Sequence, residues 1–225
     1  VKYEDMLCLT FTNRAAREMT NRIQKVVGGD FSELMVGNVH RFCSKFLFEQ
    51  GRIPADSAII DDEEAVSIIA DYRNEDEEGV TRDFNRYKGY QTIIFFQHFI
   101  YQMEHQHPWK YYLHPESFTD DDREAVKHIC ASQKIEYDEQ AVVNIYHHAQ
   151  EYMDEANAPG LDGKTADRIR VLLWKMYYAN CYARYKEENH LFDFEDLLLY
   201  TYDIYRSDPT CKRYPWIQVD EVQDL

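Results

Sequence analysis

Positive charge is scarce in this chain. Its 225 residues carry 25 Lys and Arg against 41 Asp and Glu, a formal net charge of -16. A surface of that sign repels phosphate backbones on average, so any nucleic-acid contact has to be local and supplied by a few groups. No run of 18 apolar residues and no signal-peptide pattern occurs, which argues against a membrane-spanning helix and for a cytoplasmic protein with no membrane partner. Cys8, Cys43, Cys130, Cys181 and Cys211 are scattered, odd in number and lack a C-x-x-C pair. They are expected to be reduced thiols rather than a disulfide framework. The histidines form no H-E-x-x-H, so His98, His105, His107, His114, His147 and His148 are read as surface and packing groups. The G-x-x-x-x-G-K-[ST] loop, whose backbone cradles nucleotide phosphates, is also absent, and no internal repeat is visible.

What is present argues for a folded protein. The 18 Tyr and 12 Phe speak against disorder, and the length allows one large domain or two smaller ones. Val1 is not an initiator Met, and the sequence stops directly after a motif, so both ends are expected to be cut points in a longer chain. Three regions emerge. Residues 1–51 read as α/β: an apolar strand from Met6 to Phe11, a helix capped by Thr12 or Asn13 and stopped at Gly28-Gly29, a short strand from Leu34 to Val36, and a helix carrying Val39, Phe42, Cys43, Phe46 and Leu47. Residues 52–190 show helix signals almost throughout. Asp61 and Glu64 form a capping-box pattern. Thr92 to Met103 reads as helix, Asp120-Asp121-Asp122 open another, Ala141 to Tyr152 form a further one, and a long helix runs on to about Glu188. Asn74 to Gly79 reads as an acidic loop. Residues 191–225 return to α/β, with Asp193 capping a helix that ends at Asp208-Pro209 and a last strand at Trp216 to Val219. That strand is apolar enough for the inside of a parallel sheet.

The last strand runs straight into acids, as Val219-Asp220-Glu221-Val222-Gln223-Asp224. This is the shape of a Walker B motif. A strand delivers two adjacent carboxylates to a sheet edge, where the first can hold Mg²⁺ and the second can polarise a water for phosphoryl transfer. A solvated acidic terminus would show the same residues. Thr10 to Arg14 form a second candidate site. Free N–H groups at a helix N-terminus suit a phosphate, Thr12 and Asn13 can add side-chain hydrogen bonds, and the Phe11 ring can stack on a base. A plain strand-to-helix cap with Phe11 in the core also explains them. His40, beside Arg41 at a helix start, can donate to a phosphate or serve as a capping or core histidine. The aromatic cluster Trp109, Tyr111 and Tyr112 near Lys110 fits base stacking, a core or a partner surface.

Three stretches together resemble the UvrD/Rep-type superfamily 1 DNA helicases. Leu9-Thr10-Phe11-Thr12-Asn13-Arg14-Ala15-Ala16-Arg17-Glu18-Met19 looks like that family's motif Ia, Gly37-Asn38-Val39-His40-Arg41-Phe42 like its motif Ib region, and Val219 to Asp224 like motif II. Asp193-Phe194-Glu195-Asp196-Leu197-Leu198 is similar to the D-F-x-x-L-L segment that precedes motif II in the family. The matches keep the family's order and cover about a third of the chain. The resemblance implies an α/β fold with a large all-helical insertion: a partial RecA-like (P-loop NTPase) parallel sheet in residues 1–51 and 191–225, and a helical 1B-like subdomain in residues 52–190. It implies Asp220 as the metal ligand, Glu221 as the general base, Gln223 as the γ-phosphate sensor, and Phe11, Thr12, Asn13 and His40 as DNA contacts. ATP and Mg²⁺ are the implied cofactors. Single-stranded DNA, its junctions with duplex and the remaining helicase domains of the same chain are the implied partners. Movement is implied to be 3′ to 5′, in repair, replication or recombination, and these 225 residues alone are expected to lack ATPase activity. Where the family has T-F-H, this chain has Asn38-Val39-His40, which puts contacts from the first two positions in question. A helical protein-docking module derived from a helicase and a helicase-nuclease of the same superfamily are the competing readings.

Overall fold

The computed structural model describes residues 2–87 and 89–220. The strands are β1 (Met6–Thr10), β2 (Met35–Asn38), β3 (Ala58–Ile59), β4 (Leu191–Phe192) and β5 (Trp216–Val219). The helices are α1 (Asn13–Val27), α2 (Val39–Glu49), α3 (Asp62–Arg73), α4 (Glu77–Tyr87), α5 (Gly89–Glu104), α6 (Asp120–Gln133), α7 (Glu139–His147), α8 (Gly163–Glu188) and α9 (Phe194–Ser207). They segregate into two compact units, one of residues 1–59 with 192–225 and one of residues 60–191.

The first unit is α/β. Its sheet is parallel in the order β2-β1-β5, with Leu7 level with Met35 on one side and Ile217 on the other. Parallel neighbours need a crossover, and α1 supplies it between β1 and β2. The chain turns into α1 because the Thr12 hydroxyl accepts the Ala15 N–H at 3.1 Å, satisfying one of the helix's orphan donors. It leaves at Gly28, whose φ of 65° is left-handed and suits a residue without Cβ. Leu7, Met35, Phe42, Cys43, Phe46, Leu47, Ile53, Leu197 and Cys211 form the buried core. Helices α2 and α9 pack together there, with the rings of Phe46 and Tyr205 stacked 4.9 Å apart. An Arg52–Asp208 ion pair closes the end of α9.

The second unit is helical and centres on α8. Ile169, Leu172, Leu173, Met176, Ala179 and Tyr182 of α8 are all but fully buried, because α3, α5, α6 and α7 pack round it. One ion pair lies inside this core: Lys175 Nζ reaches both carboxylate oxygens of Asp122 at 3.1 and 3.3 Å. Asp122 also closes a capping box with Thr119 at the start of α6. Arg73 lies over the Trp174 ring at 4.6 Å, a cation–π contact.

Several sequence expectations shift. The residues 74–79 are not all loop, since α4 begins at Glu77. The helix expected from Ala141 to Tyr152 ends at His147, and the chain tightens into a 3-10 helix over Glu151–Asn157. Strand β5 does not lie inside the described sheet but at its edge, with Trp216 51 % and Ile217 57 % exposed. Tyr111 stacks on Phe99 at 4.8 Å against the helical core, while Tyr112 stays exposed.

Candidate functional site: the carboxyl edge of the parallel sheet

All three strands of the parallel sheet point the same way, so their carboxyl ends share one edge. In open α/β sheets, ligands bind outside that edge. Thr10 pairs in register with Asn38, and Leu9 with Val219. The loop after β1, the start of α2 after β2 and the acid after β5 therefore emerge side by side. The Asp220 N–H donates to the Leu9 carbonyl oxygen at 2.9 Å, which extends the β1–β5 ladder by one residue and fixes the exposed Asp220 beside the β1 loop.

That loop is built by local hydrogen bonds. Thr10 is 1 % exposed and donates its hydroxyl to the Thr12 carbonyl oxygen at 3.0 Å. The same Thr12 residue caps α1 with its hydroxyl oxygen. This tight turn pushes Phe11 outward, 54 % exposed, so its ring is not a core group.

Asn38 has two jobs. Its side-chain oxygen accepts the Arg41 N–H at 2.8 Å and caps α2, and its amide nitrogen donates to the Asn13 side-chain oxygen at 3.3 Å. The N-termini of α1 and α2 are thereby tied together. Among the described residues the Asn13 amide nitrogen has no acceptor, which leaves it for another. The sequence signal for this role was available: Asn is a strong N-cap residue, so Asn in place of Thr keeps the cap.

His40 lies in the first turn of α2, half-buried, with its ring 4.9 Å from that of Phe194 at the start of α9. Burial holds its pKa below the ordinary imidazole value, and the charge of Glu195 partly opposes this. Asp193 caps α9 through the Asp196 N–H at 2.9 Å and so fixes where Phe194 begins. Thus Phe11, Thr12, Asn13, His40 and Asp220 all belong to elements meeting at one edge. Glu221 and Gln223 lie outside the described residues.

The donor set has a definite character. Backbone and amide N–H groups at two helix N-termini suit an anion such as a phosphodiester. An exposed carboxylate at the end of a parallel strand supplies the hard oxygen ligand that Mg²⁺ prefers.

The whole chain, residues 1–225, matches the UvrD/REP helicase N-terminal domain. The chain belongs to this family. Among curated relatives, the ATP-dependent DNA helicase SRS2 of Saccharomyces cerevisiae is 38 % identical over 73 residues, 30 % of this chain and 6 % of the relative. The ATP-dependent DNA helicase PcrA of Staphylococcus aureus is 36 % identical over 70 residues, 30 % of this chain and 10 % of the relative. The aligned part of this UvrD-type chain thus spans a tenth or less of these relatives' length. Among the described residues, no helix is long and apolar enough to cross a membrane.

Proposed function

We propose that this chain is part of an ATP-dependent DNA helicase or translocase that moves 3′ to 5′ on single-stranded DNA in the cytoplasm, in repair, replication or recombination. The observation that carries the reading is the Asp220 N–H bond to the Leu9 carbonyl oxygen. It sets a metal-ligand type of carboxylate beside the loop whose donors fit a DNA backbone. The similarity to proteins named ATP-dependent DNA helicases supports it.

In this reading Asp220 holds Mg²⁺, Glu221 takes the proton of the attacking water and Gln223 senses the γ-phosphate. Bound Mg-ATP supplies the phosphoryl group whose transfer drives the cycle. Thr12, Asn13 and His40 donate to phosphates of the single strand, and Phe11 stacks on a base. A neutral His40 still offers one N–H. The helical unit is the 1B-like subdomain and supports contacts at the junction of single strand and duplex. The remaining motor domains of the same protein supply the phosphate loop, which these residues lack. The 225 residues alone therefore have no ATPase activity.

The test is equilibrium binding of a labelled single-stranded oligonucleotide to the full-length protein and to an Asn13→Ala, His40→Ala pair. The pair should bind about tenfold more weakly at neutral pH, with the salt slope unchanged because neither lost donor carries a charge. Equal affinity would reject the DNA role of this edge.

A further inference from the structure

We infer that the single strand continues past the Asn13–Asn38 junction into a groove between α1 and β2, where Arg17 and Arg41 hold its phosphodiesters. The inference rests on the DNA-binding reading above and extends it to two residues that the motif resemblance does not assign.

The groove has a volume of about 560 Å³, the range of a small-ligand site. Asn13, Arg17, Thr20 and Asn21 line it from α1, and Arg41 lines it from α2. Asn13 is thus common to the groove and to the edge described above. Ala16, Phe31, Leu34 and Val36 give the rest of it an apolar lining.

The two arginines differ from those cations of the unit that acids engage, and they share this groove. Arg22 is engaged by Glu18 at 2.5 Å, Lys45 by Glu49 at 3.5 Å and Arg52 by Asp208. Arg17 and Arg41 have no carboxylate partner among the described residues. In a chain of net charge -16, acids are abundant, so two exposed arginines left unpaired on one groove call for an anion from outside the chain. Two nearby carboxylates are occupied: Glu18 faces Arg22, and Asp30 accepts the Ser32 N–H at 2.9 Å.

The position of Arg41 also has a cause. A Cβ on Gly37 would come within 3.2 Å of the Arg41 Cδ and 3.6 Å of its Cβ. The missing side chain at Gly37 lets the Arg41 stem lie flat over β2, at the mouth of the groove. The Asn38 cap fixes the Arg41 backbone at the same point. Guanidinium groups present forked donors that match phosphate oxygens. The chemistry recognised is a phosphate diester with no base reading, as expected for binding indifferent to sequence.

The experiment compares the full-length protein with an Arg17→Gln, Arg41→Gln pair, using fluorescence anisotropy of a labelled oligothymidylate across a salt series. Each phosphate that a cation neutralises on a single strand adds about 0.7 to the steepness of the log–log salt dependence. The pair should therefore flatten the slope by about 1.4 and weaken binding at low salt about tenfold. An Arg17→Lys, Arg41→Lys pair should keep the slope with only a few-fold loss of affinity. It also serves as the folded control if the Gln pair melts early. An unchanged slope in the Gln pair, while Asn13→Ala with His40→Ala weakens binding, would overturn this inference alone. No binding by the unaltered protein would overturn the DNA reading with it. If the Gln pair loses thymidine monophosphate binding by the same factor as oligothymidylate binding, the groove takes a free phosphate, and the strand path is overturned.

Discussion

Asp220 and Leu9 are joined backbone to backbone, the N–H of one donating to the carbonyl oxygen of the other at 2.9 Å. The acid that follows β5 and the loop that follows β1 cannot shift along the strands independently while that bond holds. A parallel sheet thus sets a carboxylate and a group of N–H donors at one edge.

The β1 loop depends on the buried hydroxyl of Thr10. Thr10→Val removes its bond to the Thr12 carbonyl while keeping the side-chain shape. We expect a loss of about 1 kcal/mol in stability by denaturant unfolding, together with weaker oligonucleotide binding because Phe11 and Thr12 lose their fixed turn. Wild-type binding in Thr10→Val would show that the turn is held by other means.

His40 makes the first unit sensitive to acid. Its folded pKa lies below the ordinary value because burial disfavours the cation. The unfolded chain then binds the proton more readily. This contribution to stability is complete above the ordinary imidazole pKa of about 6.5 and is lost as pH falls towards the lower folded value. Thermal melting of the wild type between about pH 7.5 and 5 should show a decline that His40→Gln reduces. The same slope in both proteins would place the titrating group elsewhere. Phosphate binding should favour the cation, so the oligonucleotide should bind more tightly as pH falls, and His40→Gln should remove that gain.

The helical unit contains a buried charge pair, with the Lys175 and Asp122 side chains each 3 % exposed. Lys175→Met would leave the Asp122 carboxylate buried and uncompensated. The expected cost is about 3–5 kcal/mol. Replacing both, with Asp122→Leu added, should recover much of it. A single variant as stable as the wild type, measured by urea unfolding, would mean that water reaches Asp122.

Gly37 is expected to accept Ala. The closest atoms, Arg41 Cδ and Met35 Cε, both belong to flexible side chains and lie at 3.2 Å. Stability should change by less than about 1 kcal/mol. Oligonucleotide affinity should fall by a few-fold as the Arg41 stem is displaced, and an unchanged affinity would detach Arg41 from the bound strand.

Local chemistry made much of the secondary structure legible. Thr12, Asp61 and Asp193 are N-caps because a short polar side chain before an apolar periodic run has few other uses. Gly28 ends α1 for an equally local reason. The tightening after His147 was invisible because Ala149 and Tyr152 still fit a helical period while the backbone has changed. An apolar run such as Trp216 to Val219 does not say whether it is central or at an edge, since neighbours far away in sequence decide that. The same limit applies to the site. Thr12 and Asn13 could be read from a helix start, but the Asn13–Asn38 bond spans 25 residues and the tilted His40–Phe194 ring contact joins helices far apart in the chain. Nothing in the sequence brings Arg17 and Arg41 together; the groove that both line does.

The central claim is that this sheet edge couples phosphate chemistry to single-stranded DNA. The most direct measurement is steady-state ATP hydrolysis by the full-length protein, with and without oligothymidylate, for the wild type and for Glu221→Gln. The account predicts DNA-stimulated turnover in the wild type, and in Glu221→Gln a fall of about 10²-fold or more with nucleotide and DNA binding retained. Turnover in Glu221→Gln equal to the wild type, or a wild type that neither hydrolyses ATP nor responds to DNA, would contradict it.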